Sequence, residues 1–125
     1  MTGEASVRAR RVAGAIRARI TELLSRDVSD PVLASVVVSD VELSPDLGLV
    51  WVKVRLLFGG EDEKKRRAAL RSLGRAAGRI RRGLGPSLRL KRLPELRFAY
   101  DTGVDAEQRV EALLGEIEED RKRSK

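Results

Sequence analysis

Leu70-Arg71-Ser72-Leu73-Gly74-Arg75-Ala76-Ala77-Gly78-Arg79-Ile80-Arg81-Arg82-Gly83-Leu84-Gly85-Pro86 is the stretch whose periodicity decides the fold. Leu70, Leu73, Ala77, Ile80 and Leu84 recur at steps of three and four, the spacing of an amphipathic helix. At about 100° per residue, Lys64, Arg71, Arg75, Arg79 and Arg82 fall within about 80° of one another, opposite that stripe. One face is therefore apolar and the other is a ridge of cations. Gly74 and Gly78 each cost about 1 kcal/mol relative to alanine in a helix interior. Two glycines so close predict a kink or short break, hence helix–break–helix, closed by Gly85-Pro86. The glycines have two readings: they let the helix sit close against the sheet, or they let a ligand backbone approach exposed helical amides.

Toward the N-terminus, Gly59-Gly60 and the acidic run Glu61-Asp62-Glu63 mark where this helical segment begins. Before them, residues 49–58 alternate. Val50, Val52, Val54, Leu56 and Phe58 share one face of a strand, and Trp51, Lys53 and Arg55 the other. The Val-rich run 35–43 is a second strand, joined to the first through the turn residues Ser44-Pro45-Asp46-Leu47-Gly48 as an antiparallel hairpin. Residues 6–26 form an amphipathic helix through Val12, Ile16, Ile20, Leu23 and Leu24, which stops before Asp30-Pro31. Toward the C-terminus, residues 87–100 return to an extended pattern, in which Pro94 limits the well-paired strand to 95–100, with Leu96, Phe98 and Tyr100 on one face. Residues 104–119 read as a last helix through Val110, Leu113, Leu114 and Ile117, and 120–125 as a charged, disordered tail. The order is helix, strand, strand, helix–break–helix, strand, helix. It predicts one α+β domain over residues 1–119, a three-stranded sheet with helices packed on one face.

The chain has 125 residues with 26 Lys and Arg against 19 Asp and Glu, a formal net charge of +7. The excess is concentrated: residues 64–97 carry thirteen basic side chains and one acidic. Such a segment repels itself unless a polyanion lies against it. There is no Cys and no His, which excludes thiolate and imidazole zinc sites, disulfides, Cys nucleophiles and His acid–base catalysis. Nothing approaches 18 consecutive apolar residues, and arginines interrupt every apolar stretch of the first 30. These features predict a soluble, cytoplasmic protein without a metal site.

The ridge, extended by Arg89, Lys91 and Arg92, suits a sugar–phosphate backbone, because arginine presents a rigid fork of donors. Arg8, Arg10 and Arg11 form a secondary basic face. A ridge of this kind serves RNA, DNA or an acidic protein partner equally well. A membrane surface fits it poorly, since no large apolar side chains flank it for insertion. Trp51 reads as cover for the core more readily than as a stacking residue. Four aromatics in all argue against a base-stacking platform. The acidic pairs Glu61-Asp62 and Glu118-Glu119 sit at a helix start and a helix flank, where dipole and solvation explain them without catalysis.

Six pieces in order carry a family resemblance: Arg11-Val12-Ala13; Asp30-Pro31-Val32-Leu33; Val41-Glu42-Leu43-Ser44-Pro45-Asp46-Leu47; Ala76-Ala77-Gly78; Leu88-Arg89-Leu90; and Pro94-Glu95-Leu96-Arg97-Phe98-Ala99-Tyr100-Asp101. Over roughly residues 6–117 the chain resembles the ribosome-binding factor A family. Its members are similar to a type II KH domain in which Ala-x-Gly replaces Gly-x-x-Gly, a motif this chain lacks. The resemblance implies a KH-like fold with Ala76, Ala77 and Gly78 at the kink. It also implies a non-enzymatic bacterial assembly factor with no cofactor, which binds the free 30S small ribosomal subunit. That factor would assist late maturation and 5′-end processing of 16S rRNA, matter most in the cold, act as a monomer and be released with the help of a GTPase. The ridge arginines are inferred from the helical projection and are not transferred from the family. Arg79, Arg81 and Arg82 make the segment more basic than the family pattern, and Ala106-Glu107-Gln108 stands where a glycine is common.

Overall fold

Val36, Val38, Val41 and Leu43 cannot all face one side of a regular strand, because the period of two is broken between 38 and 41. A β-bulge at Ser39 restores the phase. In the computed structural model, which describes residues 3–27 and 29–103, the register of β1 (Val36–Leu43) shifts between Val38 and Asp40, and all four apolar residues turn inward. β1 pairs antiparallel with β2 (Leu49–Leu56), Val38 opposite Val54 and Val41 opposite Val52. The expected strand 49–58 ends two residues early. Leu57 donates its N–H to the Ser35 carbonyl, and Phe58 is 82% exposed rather than on the buried face.

β2 also pairs, in parallel, with β3 (Glu95–Tyr100), which gives the order β1-β2-β3. Parallel pairing requires a crossover. α3 (Glu63–Leu88) supplies it, opened by Asp62, whose carboxylate accepts the Lys64 N–H. α1 (Gly3–Ser25) packs against α3 and β1. Between α1 and the sheet lies a single turn the sequence reading passed over, α2 (Pro31–Ala34). Asp30 caps it and Pro31 occupies the first helical position, so Asp-Pro starts this turn, α1 having already ended at Ser25.

Ile16, Ile20 and Leu24 of α1, Leu33 of α2, the inward residues of β1 and β2, Leu96 of β3, and Ala69, Leu73, Ala76, Ile80 and Leu84 of α3 make one core. Both helices lie on the same face of the sheet. Among the described residues no helix packs on the opposite face, where Trp51 is 41% exposed, so it does not cover the core as expected. The reason is phase. Val50, Val52 and Val54 take the inward positions at 0% exposure and leave Trp51 outward.

The expected break in α3 is absent. The helix runs continuously past Gly74 and Gly78, and past Gly85-Pro86 to Leu88, where Arg89 takes a left-handed cap. Two glycines cost about 2 kcal/mol together. Five buried side chains on the inner face outweigh this, at up to about 1.5–3 kcal/mol for each of the larger ones. The expected helix 104–119 and tail 120–125 lie outside the described residues.

Candidate nucleic-acid interface

Helical phase puts every ridge residue outward: Lys64, Arg71, Arg75, Arg79 and Arg82 are all exposed along α3. They are not equivalent. Arg79 reaches across to the segment between α1 and α2, where both its Nε (3.1 Å) and Nη2 donate to Asp27 Oδ2, and Nη2 also to the Ser29 hydroxyl. The Ser29 hydroxyl and the Arg79 guanidinium hold the Asp27 carboxyl down to a pKa of about 2. Arg75 donates to Ser72 Oγ and sits 4.0 Å from Asp30. Arg66, off the ridge, stacks over Tyr100 and donates to the Gly60 carbonyl. Among the described residues, Lys64, Arg71 and Arg82 have no such partner. These three are the part of the ridge open to an external phosphate.

The Ala-x-Gly motif divides the same way. Ala76 is fully buried on the inner side of α3, Ala77 is half-buried and Gly78 is exposed beside Arg82. A methyl group at Gly74 would meet nothing within 4 Å, and one at Gly78 only Arg82 Nη1, at 3.5 Å. The close-packing reading therefore fails for both. It belongs to Gly83, where a Cβ would lie 2.8 Å from Leu23 Cδ1. A shallow groove beside Gly78 is lined by Ala77, Arg81, Glu95 and Leu96.

The second cationic group forms a cleft. Arg8 from α1, Asp46, Leu47 and Gly48 from the β1–β2 turn, Arg81 from α3, and Arg89, Leu90, Lys91, Arg92, Leu93 and Glu95 around the α3–β3 connection enclose about 860 Å³. Arg8, assigned from sequence to a separate face, thus lies beside Arg89, Lys91 and Arg92; Arg10 and Arg11 are exposed on α1 and do not line the cleft. Arg81, outside the expected ridge, builds the wall: its Nε donates to the Pro94 carbonyl (2.9 Å) and its Nη2 to that of Leu93 (2.7 Å). Asp46 is occupied by the turn. The Gly48 N–H and the Ser44 hydroxyl both donate to it and, in that order, lower its pKa. No helix among the described residues is long and apolar enough to cross a membrane, and no group of three or more metal-ligating side chains occurs among them.

Fold and surface together define a small α+β domain with a cationic helix face and an adjoining basic cleft. Residues 8–114 match the family model for ribosome-binding factor A. A ribosome-binding factor A of Sorangium cellulosum is 48% identical over 112 residues, covering 90% of each chain. Among solved structures, ribosome-binding factor A from Thermus thermophilus is similar with a TM-score of 0.62 at 28% identity, over 74% of this chain and 94% of that one. A homology model of the Thermus thermophilus factor, fitted into a cryo-EM map of a 30S complex, is similar with a TM-score of 0.58 at 30% identity and the same coverage. The chain belongs to the ribosome-binding factor A family.

Proposed function

We propose that this protein binds the free 30S small ribosomal subunit through its cationic surface and assists the late maturation of 16S rRNA, including 5′-end processing and growth in the cold. One observation carries the reading. A chain 30% identical to a factor fitted into a 30S complex presents Lys64, Arg71 and Arg82 outward on one helix, free to meet phosphates. It acts by binding, without a cofactor and without catalysing a reaction, as a cytoplasmic monomer within a KH-like fold, and a subunit-assembly GTPase assists its release. Arg75, Arg79 and the cleft residues Arg8, Arg89, Lys91 and Arg92 belong to the same surface, with Arg10 and Arg11 flanking it. Gly78 lets the rRNA backbone approach the helix.

The test is co-sedimentation of the purified protein with separated small subunits, large subunits and whole ribosomes at moderate salt. Migration with free small subunits alone is the expected result. Equal migration with all three, fading together as salt rises, would show only a basic protein adhering to RNA and would end the assembly-factor reading.

A further inference from the structure

We infer that the cleft between the N-terminal part of α1, the β1–β2 turn and the α3–β3 connection is a discrete site for a short single-stranded RNA segment, with phosphates on Arg8, Arg89 and Lys91 and an unpaired base over the leucine floor. The inference rests on the RNA-binding reading above and locates a separate site within it. Four observations converge on this cleft.

The cations lining the cleft outnumber its acids. Among the described residues no carboxylate lies within ion-pair distance of Arg8, Arg89 or Lys91. Of the two acids lining the cleft, Asp46 accepts from Gly48 and Ser44 and interacts through its charge with Arg92, and Glu95 is paired with Arg97. The mid-ridge arginines, by contrast, are committed to Asp27 and Asp30.

The size is that of a ligand pocket. About 860 Å³ lies within the range of about 300–1,000 Å³ typical of small-ligand sites. Leu47, Leu90 and Leu93 are half-buried and line it, which offers an apolar surface to a base while the guanidinium planes can stack. A paired helix keeps its bases stacked inside and would present only its backbone to this concavity.

Backbone strain is concentrated there. Leu47 (φ 60°) and Arg89 (φ 50°) are the non-glycine residues with positive φ among the described residues, and both line the cleft. A helix ending in a left-handed residue ordinarily uses glycine, which adopts that conformation without a Cβ penalty. Arginine at position 89 gives up that relief and places a guanidinium at the mouth of the cleft. Such strain is held where a side chain is needed.

The wall is fixed in advance. Arg81 ties the Leu93 and Pro94 carbonyls to α3, so the connection carrying Arg89, Lys91 and Arg92 is anchored before any ligand arrives. Arg81 is a positioning residue.

The experiment measures binding of a labelled single-stranded RNA of about six nucleotides, a length within the footprint of single-strand sites, by fluorescence anisotropy across a salt series. Arg89→Gly with Lys91→Gln should weaken binding at least about tenfold and flatten the log–log salt slope by about 1 to 2. The melting temperature should hold or rise, because glycine relieves the cap. A merely structural role for Arg89 would lower the melt instead and leave the slope alone. Arg17→Gln, an exposed charge loss on α1 away from the cleft, should change affinity less than about twofold. Unchanged RNA affinity in the double variant would overturn the site. So would a blunt RNA duplex binding as tightly, per phosphate, as the single strand. Displacement of the RNA by millimolar inorganic phosphate at matched ionic strength would show a free-phosphate site and overturn the single-strand assignment. If the wild-type protein ignores small subunits while the oligonucleotide results hold, the assembly-factor reading fails and the cleft stands. If it sediments with small subunits while the double variant binds the oligonucleotide normally, the cleft fails alone.

Discussion

Arg79 and Asp27 stand 52 residues apart in the chain, and the guanidinium of one is closed onto the carboxylate of the other across the junction of α1 and α3. The contact turns what the helical projection shows as a free cation into a tie between two helices. It also sets a pH dependence. The Asp27 carboxyl is lowered from an ordinary 3.8 to about 2, first by the Ser29 hydroxyl and then by Arg79. A depressed folded-state pKa stabilises fully above the unfolded value and loses that stabilisation as pH falls through the folded one. Urea melts of wild type and Asp27→Asn should therefore differ at pH 5–7 and converge between about pH 4 and 2. A gap that persists to the acid end would mean that the carboxylate charge plays no part in the tie.

Gly74 and Gly83 lie in one helix and should respond oppositely to alanine. Gly74→Ala adds a methyl to open space and should stabilise by about 1 kcal/mol. Gly83→Ala gains the same backbone term but drives a Cβ to 2.8 Å from Leu23 Cδ1, so the net should be zero or a loss. Chemical denaturation of the two variants checks the order. Gly83→Ala matching Gly74→Ala would show that Leu23 moves aside freely.

Gly78→Ala separates stability from function. Its Cβ has room, so the free protein should gain about 1 kcal/mol. If the exposed backbone at Gly78 is where rRNA approaches, subunit binding should fall in the same variant. A more stable protein with undiminished co-sedimentation would remove Gly78 from the interface and leave its glycine unexplained.

Much of this was legible in the sequence because it is local. Strand 95–100 is bounded on one side by Pro94 and supported by unbroken alternation, and the structure has it at Glu95–Tyr100. The outward face of α3 follows from spacing alone. The bulge at Ser39 is missing from the expected strand 35–43, although Asp40 breaks the inward phase and Val41 resumes it. The continuity of α3 was not legible either: propensity penalises Gly74 and Gly78, while the decisive term is burial against a sheet formed by distant residues. The Arg79–Asp27 tie was hidden for the same reason, and with it the unequal standing of the ridge cations. Arg8 was assigned to a separate face because nothing in the sequence brings the start of α1 to the α3–β3 connection.

Trp51 is the chain's one tryptophan, placed on the face of the sheet away from α1 and α3, opposite Glu42 and Arg97 in register. Its fluorescence should be readily quenched by acrylamide in the folded protein. Trp51→Ala should cost less than about 1 kcal/mol, the scale of a cross-strand pair. Leu73→Ala, fully buried between α3 and the sheet, should cost about 2–5 kcal/mol. A Trp51→Ala loss as large as that of Leu73→Ala would mean that face is covered in solution.

The free end of the ridge gives the sharpest functional test because charge can be reversed there without touching a tie. Reversing Arg79 is a poor probe, since a glutamate at 79 would face Asp27 and the melt would drop along with any binding. Arg71→Glu with Arg82→Glu faces only solvent among the described residues, and should shift stability by no more than about 0.5 kcal/mol. Six phosphate contacts would give the wild-type protein a log–log salt slope of about −4 to −5, and losing two of them should flatten it by about 1.5. Small-subunit co-sedimentation across a salt series reads both quantities. A weaker affinity with an unchanged slope would mean that the reversed residues act through protein contacts on the subunit, and the ridge would no longer be a phosphate-binding surface.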